Sequence, residues 1–185
     1  MRSVAILAGG DARRFGGRDK SALVVQGRTI LDRQVAELSG VTNDLRVIRR
    51  EHDLVPGCGP LGGLHAALSM AAGDAVFVVA CDMPYVTAAF ATYLLSLAGE
   101  ADIVVPRTER GYHPLCAVYT RACLAPVARR LAERRLKMVE LLDEMRTREV
   151  TAEEIGRFGN GHRLLANVNT PAEYAGLEAF QSHKL

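Results

Sequence analysis

Residues 3–20 read SVAILAGGDARRFGGRDK, an apolar run that ends in two glycines and continues into a segment rich in glycine and basic residues. The run from Ser3 to Ala8 is typical of a buried parallel strand, because such a strand is covered on both faces and shows no polar alternation. In a parallel α/β sheet, ligands bind outside the carboxyl ends of the strands. The stretch therefore predicts the first strand of an α/β fold with a ligand-binding loop directly behind it.

The rest of the chain continues to alternate strands and helices. Continuous apolar runs predict further strands at Leu45–Ile48, Val76–Ala80, Asp102–Val105 and Leu115–Tyr119. Apolar residues at helical spacing predict helices at Thr29–Leu38, Leu61–Ala72 and Thr87–Ala98, one or two helices in Ala122–Met145, and a terminal helix at Pro171–Phe180 capped by Thr170. Such strand–helix–strand units form a mostly parallel sheet with helices on both faces.

The composition is that of one compact domain. The chain has 185 residues, 49% of them hydrophobic, and 23 Lys+Arg against 21 Asp+Glu give a formal net charge of +2. A domain of this size buries about 70% of the surface of its unfolded chain, so it folds without a metal or a disulfide. The near-neutral charge argues against nucleic acid as a partner, and no apolar run is long enough for a membrane span. The four cysteines form no C-x-x-C pair and are expected to be reduced and buried, which favours the cytoplasm.

Four basic side chains share the glycine-rich segment behind the first strand: Arg13, Arg14, Arg18 and Lys20. Glycine lets backbone amides approach a phosphate, while arginine and lysine neutralise its charge. We interpret the segment as a cradle for a triphosphate; the alternative is a flexible turn with solvated charges. It is not a Walker A loop, because Lys20 follows an aspartate rather than a glycine.

A second polar loop, Cys81-Asp82-Met83-Pro84, follows the most strongly predicted strand. A carboxylate at this end of a parallel sheet suits Mg²⁺, which proteins usually hold with one or two carboxylates plus substrate phosphates. The alternative is an aspartate that caps the next helix. The basic segment at the same edge favours the metal site, so Asp82 is predicted to bind Mg²⁺.

A third loop contains a glycine pattern that could be misread. Residues Gly57–Gly62 fit G-x-G-x-x-G, the dinucleotide-binding pattern, but they do not follow the first strand, and Pro60 removes one amide. We interpret the loop as the start of a helix that lies against a base or a ribose. Asp53 could then accept hydrogen bonds from a guanine edge or a hydroxyl; the alternative is a surface turn residue.

Three later segments give weaker signals. His113 stands beside a proline and is interpreted as structural rather than catalytic. The run Arg129–Arg135 is typical of a solvated helical face, with a pair from Arg129 to Glu133. Asn167 and Asn169 flank one apolar residue, so in an extended segment both would face the same side and could meet a polar ligand; the alternative is a turn and helix cap.

These motifs together resemble the signature of the sugar-phosphate-type nucleotidyltransferases, and more closely that of the molybdenum cofactor guanylyltransferases of the MobA type. The first motif, LAGG followed by RFGG and DK, is shared by many nucleotidyltransferases, whereas N-V-N-T-P with two arginines upstream is typical of the molybdopterin branch. The resemblance covers most of the chain through these motifs: Asp53, Gly59-Pro60-Leu61, Cys81–Pro84, His113-Pro114-Leu115, Glu133-Arg134-Arg135 and Asn167–Pro171.

The resemblance implies a single Rossmann-like, three-layer α/β domain over residues 1–185, with a nucleotide-binding half at about 1–105 and a pterin-side half at about 106–185. It implies transfer of GMP from GTP to the molybdopterin-bound molybdenum cofactor, which yields molybdopterin guanine dinucleotide and pyrophosphate with Mg²⁺ as cofactor. Transient contacts with the proteins that build or receive the cofactor are also implied.

The resemblance assigns roles by position to three groups of residues. The catalytic group is Arg14, Lys20 and Asp82, of which Asp82 binds the metal; the nucleotide-binding group is Leu7, Ala8, Gly9, Gly10, Lys20, Asp53 and Asp82; the pterin-side group is Arg134, Arg135, Asn167 and Asn169.

Four other functions stay open at this point. Two are relatives of the first: a cytidylyltransferase that acts on the same pterin, and a sugar-phosphate nucleotidyltransferase. The third is an NAD-dependent oxidoreductase that uses Gly57–Gly62, and the fourth is a nucleotide-binding module without catalysis.

Overall fold

The computed structural model describes residues 1–9, 24–25, 27–168 and 173, with only the backbone of residues 24 and 25. Its strands are β1 (Arg2–Leu7), β2 (Val24–Val25), β3 (Arg28–Thr29), β4 (Leu45–Ile48), β5 (Ala75–Ala80), β6 (Ile103–Thr108), β7 (Gly111–Tyr112), β8 (Cys116–Thr120) and β9 (Thr147–Val150). Its α-helices are α1 (Ile30–Leu38), α2 (Gly59–Met70), α3 (Ala88–Ser96), α4 (Leu124–Ala132), α5 (Met138–Glu144), α6 (Ala152–Gly156) and α7 (Gly161–Leu164). Short 3₁₀ turns lie at Arg50–His52 and Arg121–Cys123. Except for Glu173, the helix predicted at Pro171–Phe180 lies outside the described residues.

The main sheet has the order β4-β1-β5-β8-β6-β7, with β9 paired to β6. Strand β1 pairs in parallel with β4 and with β5, and β6 pairs in parallel with β9. Strand β8 runs antiparallel between β5 and β6, and β7 runs antiparallel to β6. Strands β4, β1, β5, β6 and β9 thus share one direction, which confirms the predicted mostly parallel sheet.

Helices cover both faces of this sheet, as predicted. Along β1, Val4 and Ile6 pack into one hydrophobic cluster with α3 and with Leu164 of α7. Their neighbours Ala5 and Leu7 pack into a second cluster, formed with α2, α4 and α5. Because successive side chains of a strand point to opposite faces, the two clusters are the two sides of one sheet. The fold therefore has three layers.

Side-chain caps set the start of several helices. The Thr29 hydroxyl accepts a hydrogen bond from the Asp32 amide at 3.0 Å, and the Thr87 hydroxyl accepts one from the Phe90 amide at 3.3 Å. Thr87, and not Asp82, therefore caps α3, which removes the capping alternative for Asp82. Helix α2 begins without a side-chain cap, at Gly59 and Pro60.

The segment Ala122–Met145 forms two helices, α4 and α5, joined by a tight corner. The side chain of Arg130 is fully buried at this corner, where it donates to Glu144 at 2.6 Å, to Glu140 at 2.8 Å and to the Lys137 carbonyl at 3.1 Å. The prediction that Arg129–Arg135 is a solvated face is therefore wrong for Arg130. Arg129 also pairs with Glu144, at 3.2 Å, rather than with the predicted Glu133.

The four cysteines are free thiols and all are buried, as predicted. Burial raises the pKa of the Cys116 and Cys123 thiols far above their usual range. In the described part of the chain, no helix combines the length and the apolar character that crossing a bilayer requires.

Candidate functional site

Three strands end side by side at the carboxyl edge of the sheet, where Leu7 of β1 pairs with Ile48 of β4 and with Ala80 of β5. The backbone directly after β1 remains hydrogen-bonded to this edge, because the Ala8 amide donates to the Ile48 carbonyl at 2.7 Å. The Arg50 Nε then donates to the Gly9 carbonyl at 2.9 Å. The structure therefore places Leu7, Ala8 and Gly9 where the sequence predicts the start of the nucleotide loop.

The loop that carries Asp82 is held from three directions. The Cys81 amide donates to the Leu7 carbonyl at 3.0 Å, and the Val168 amide donates to the Asp82 carbonyl at 2.8 Å. From α1, the Gln34 Nε2 donates to the carbonyls on either side of the Cys81-Asp82 pair, at Ala80 (2.8 Å) and Met83 (3.0 Å). The half-buried carboxylate of Asp82 is thus presented on a rigid loop at the centre of the edge.

Gln34 has a supporting role that the sequence analysis did not identify. Its side chain is 1% exposed and lies on a helix that otherwise shows an ordinary apolar pattern. A buried glutamine on the inner face of such a helix must find polar partners, and this is the signal that could have pointed to the role.

We expect Gln34→Leu to lower the free energy of unfolding by about 2 kcal/mol, because the buried Met83 carbonyl loses its side-chain donor. The Asp82 loop should also become less ordered, since it loses its support from α1. Chemical denaturation would measure the change in stability. An unchanged denaturation midpoint would show that the Asp82 loop does not depend on this side chain.

Asp53 directly follows the 3₁₀ turn Arg50–His52, and its side chain lies against the first turn of α2. A Cβ atom placed on Gly62 would stand 3.7 Å from the Asp53 Cγ, so the carboxyl group covers the first turn of the helix. Burial raises the pKa of Asp53, and the nearby Arg50 and His52 oppose the rise. Because amides at a helix start attract negative or hydrogen-bonding groups, this end of α2 is a polar surface on which a ligand can lie.

The G-x-G-x-x-G pattern does not occupy a dinucleotide-binding position. Gly57–Gly62 follows β4 and a 3₁₀ turn and opens α2, whereas the pattern requires the loop behind the first strand of the unit. Gly57 and Gly59 have φ values of +76° and +57°, a left-handed conformation that favours glycine. The backbone conformation of the turn is therefore sufficient to explain Gly57 and Gly59.

The two arginines predicted for the pterin side contact different elements of the structure. Arg134, in the left-handed conformation at φ +57°, donates from Nη1 to the Cys58 Sγ at 3.4 Å. Since Cys58 is the N-cap of α2, this guanidinium joins Asp53 at the start of that helix. Arg135 turns instead to Glu144 of α5, at 2.9 Å.

Asn167 lies next to the Asp82 loop. It is exposed, and it precedes Val168, whose amide bonds to the Asp82 carbonyl. The structure therefore brings Asn167 and Asp82 to one place, although they are far apart in the sequence. Five residues for which the sequence predicts a role lie outside the described part of the chain: Gly10, Arg14, Lys20, Asn169 and Thr170. The rest of the basic segment lies outside it as well.

His113 belongs to the turn between β7 and β8, at the same edge of the sheet. Its amide donates to the Pro106 carbonyl at 2.9 Å, and its Nε2 lies 2.9 Å from the Thr108 hydroxyl. Burial lowers the pKa of His113, and Arg110 lowers it further. These local contacts support the structural interpretation of this residue.

We expect His113 to make the protein less stable as the pH falls from 7 to 5. Because the pKa is lowered in the folded state, the unfolded chain takes up the proton first, near pH 6.5, and folding is disfavoured from there down to the folded pKa. In His113→Gln this part of the pH dependence should disappear. Thermal unfolding of both proteins at several pH values would measure it, and parallel curves would contradict the expectation.

The Asp82 loop offers a donor set that fits a magnesium ion. Within residues 1–9, 24–25, 27–168 and 173, no three His, Cys, Asp or Glu side chains form a cluster. Magnesium does not need such a cluster, because it keeps several waters and takes its other ligands from substrate phosphates. A single half-buried carboxylate at the carboxyl edge of the sheet is therefore compatible with this metal.

An α/β sheet with an acidic loop and the start of a glycine-rich segment at its carboxyl edge is typical of proteins that bind nucleotides. Comparison with known proteins gives the particular family. A family model described as the MobA-like NTP transferase domain matches residues 4–148. The chain belongs to this family and is a nucleotidyltransferase.

Relatives match the chain over nearly its whole length. The molybdenum cofactor guanylyltransferase of Desulfosudis oleivorans is 32% identical over 94% of this chain and 93% of the relative. The probable molybdenum cofactor guanylyltransferase of Pelotomaculum thermopropionicum is 34% identical over 91% of this chain and 87% of the relative. The crystal structure of molybdopterin-guanine dinucleotide biosynthesis protein A from Archaeoglobus fulgidus superimposes with a TM-score of 0.79 and 24% identity, over 98% of this chain and 99% of that one. The predicted fold class is thereby confirmed.

Proposed function

We propose that this protein transfers GMP from GTP to the molybdenum cofactor bound by molybdopterin, forming molybdopterin guanine dinucleotide and releasing pyrophosphate. One observation carries the proposal: the Asp82 loop is bonded to Leu7 on one side and to Val168 on the other. Leu7, at the start of the predicted nucleotide loop, and Val168, between the predicted pterin-side residues Asn167 and Asn169, therefore both bond to the backbone of the loop that carries Asp82. The names of the relatives supply the two substrates.

The nucleotide side is proposed from residues at β1 and α2. The backbone of Leu7, Ala8, Gly9 and Gly10 would hold GTP, and Asp53 would accept hydrogen bonds from guanosine. The exposed end of α2 beside Asp53 supports this placement, because its amides favour anionic and polar groups. Arg14 and Lys20 are proposed on sequence grounds to contact the triphosphate, together with the other bases of their segment.

Asp82 is proposed to hold Mg²⁺ together with phosphate oxygens of the bound nucleotide. When bound, the ion would neutralise charge on the phosphates during transfer. The contribution of the chain itself is to fix the carboxylate in place through Leu7, Gln34 and Val168.

The acceptor side is proposed from the second half of the chain, about residues 106–185, whereas the nucleotide side belongs to about residues 1–105. Asn167 and Asn169 would contact the acceptor beside Asp82. Arg134 and Arg135 would contribute positive charge toward its phosphate end. The exposed guanidinium of Arg134 at the start of α2 is consistent with such a contribution.

The transfer itself needs no catalytic base from the chain. The terminal phosphate of molybdopterin is already an anion at neutral pH and attacks the α-phosphate of GTP; a P–O bond forms there as the bond to pyrophosphate breaks. The residues must hold two polyanions in line and stabilise the developing charge on the leaving group. Arg14, Lys20 and the Asp82 site are suited to that electrostatic work.

A thermal-shift panel tests the nucleotide assignment. GTP, CTP, ATP, UTP and NAD would each be added with and without Mg²⁺. At a concentration of about 100 times Kd, a ligand stabilises by about 2.7 kcal/mol, so GTP with Mg²⁺ should raise Tm by about 5 °C or more. A selective CTP response would favour a cytidylyltransferase, and a response to NAD alone would overturn the proposal.

The site of action is proposed to be the cytoplasm, because four buried free thiols suit a reducing compartment. Transient contacts with proteins that supply molybdopterin or receive the finished cofactor are part of the same proposal.

A further inference from the structure

A cavity of about 780 Å³ lies on the α1, α3 and α7 side of the sheet, and its lining includes none of the residues proposed above to bind the nucleotide, the metal or the acceptor. Six of its lining side chains define its chemistry: Arg28, Arg33, Glu37, Tyr85, Phe158 and Arg163. We call it the arginine cavity. Its volume is within the range of small-molecule sites, about 300–1,000 Å³.

The charge of the arginine cavity favours an anion. Among the described residues that line it are three arginines and one acid, Glu37, whose Oε1 accepts a hydrogen bond from the Ala88 amide at 2.8 Å. That carboxylate is therefore engaged at the start of α3. The described lining thus contains more basic than acidic side chains, in a protein whose total charge is only +2.

One wall of the cavity is suited to a flat ring. The Arg163 guanidinium carbon lies over the Tyr85 ring, 4.7 Å from its centre, which is a cation–π contact. Phe158 adds a second aromatic side chain to the lining. Planar heterocycles bind in such places because they stack on aromatic and guanidinium planes.

The cavity shares two chain segments with the Asp82 site. Tyr85 follows Asp82 by three residues, directly after Pro84, which also lines the cavity. On the other side, Leu164 lines the cavity and leads into Val168, whose amide bonds to the Asp82 carbonyl. The cavity therefore borders the two chain segments that hold the Asp82 loop in place.

We propose that the arginine cavity is the subsite for the distal part of the acceptor substrate. The pterin rings would stack against Tyr85 and Arg163, and an anionic group of the acceptor would face the basic side chains of the lining. The terminal phosphate would then reach the Asp82 site, where transfer takes place. This inference rests on the proposed function and adds to it the residues that select the acceptor.

Two variants test the subsite, Arg163→Ala and Tyr85→Leu, with Arg129→Ala as the matched control. Arg129 is a 59% exposed arginine on α4, on the opposite face of the sheet. Steady-state assays would give KM for molybdopterin and for GTP separately. We expect KM for molybdopterin to rise at least fivefold in both test variants, with KM for GTP and the thermal midpoint nearly unchanged, and no change in the control.

A binding measurement keeps this test separate from the proposed function. Quenching of pterin fluorescence by each protein, without GTP, would give Kd for molybdopterin, and the two test variants should bind at least fivefold more weakly than wild type. Binding that matches wild type in both variants would overturn the subsite. If wild type binds molybdopterin but transfers no GMP, the proposed function fails and the subsite stands. If both variants bind molybdopterin as tightly as wild type but no longer bind an acidic protein partner, the cavity is a protein-docking site and the inference is wrong.

Discussion

Asp82→Asn is expected to reduce kcat/KM for GMP transfer by about 10³-fold while the protein stays folded. The replacement keeps the size of the side chain and removes the charge that would hold a divalent cation against the phosphates. Losing such charge stabilisation costs several kcal/mol in the transition state, and about 4 kcal/mol corresponds to three powers of ten in rate. Turnover at several Mg²⁺ concentrations, together with a thermal melt, would measure both properties.

A matched control exists at the opposite edge of the sheet. Asp74 is 81% exposed and pairs with the N-terminal amine at 3.2 Å, so Asp74→Asn removes one carboxylate far from the proposed site. Its activity should equal that of wild type, because exposed pairs of this kind contribute little. If Asp82→Asn also retained wild-type activity and Mg²⁺ dependence, the metal role of Asp82 would be rejected.

Arg130→Met is expected to lower the free energy of unfolding by about 3 kcal/mol. Methionine can fill much of the volume but leaves Glu140 and Glu144 without their shared buried partner, and breaking such a group costs more than the loss of one surface pair. The corner between α4 and α5 should loosen as well, because the Lys137 carbonyl loses the hydrogen bond that it accepts from the Arg130 side chain at 3.1 Å. Urea denaturation would measure the change.

Arg129→Met supplies the comparison for Arg130. The two arginines are neighbours on α4 and share Glu144 as a partner, but Arg129 is 59% exposed whereas Arg130 is fully buried. Removal of Arg129 should cost less than about 1 kcal/mol. Equal decreases in the free energy of unfolding in the two variants would show that burial does not determine how much each arginine stabilises the protein.

The first half of the fold could be predicted because its strands are short, continuous and apolar. Strands β1, β4 and β5 lie where the apolar runs predict them, and so do the helices between them. The antiparallel direction of β8 could not be predicted, since an apolar run such as Leu115–Tyr119 is compatible with a parallel or an antiparallel strand. Strand β9 was missed because residues 147–150 read TREV, with only one clearly apolar position.

A site residue could be proposed from the sequence where a residue type has one dominant chemistry at a strand end. Asp82 is such a residue, and its capping alternative is removed only by the observation that Thr87 caps α3. Gln34 and Arg130 were missed because their roles depend on burial between elements that are distant in the sequence. The separation of Arg134 from Arg135 depends on one left-handed backbone angle, which the sequence does not display.

The central proposal is that GMP moves from GTP to molybdopterin at the Asp82 edge. Its most direct test is an incubation of the purified protein with molybdenum-loaded molybdopterin, Mg²⁺ and GTP labelled at the α-phosphate. We expect the label to appear in a pterin dinucleotide, with one pyrophosphate released for each label transferred and little transfer from labelled CTP. Pyrophosphate release without labelled pterin, or equal transfer from CTP, would contradict the proposal.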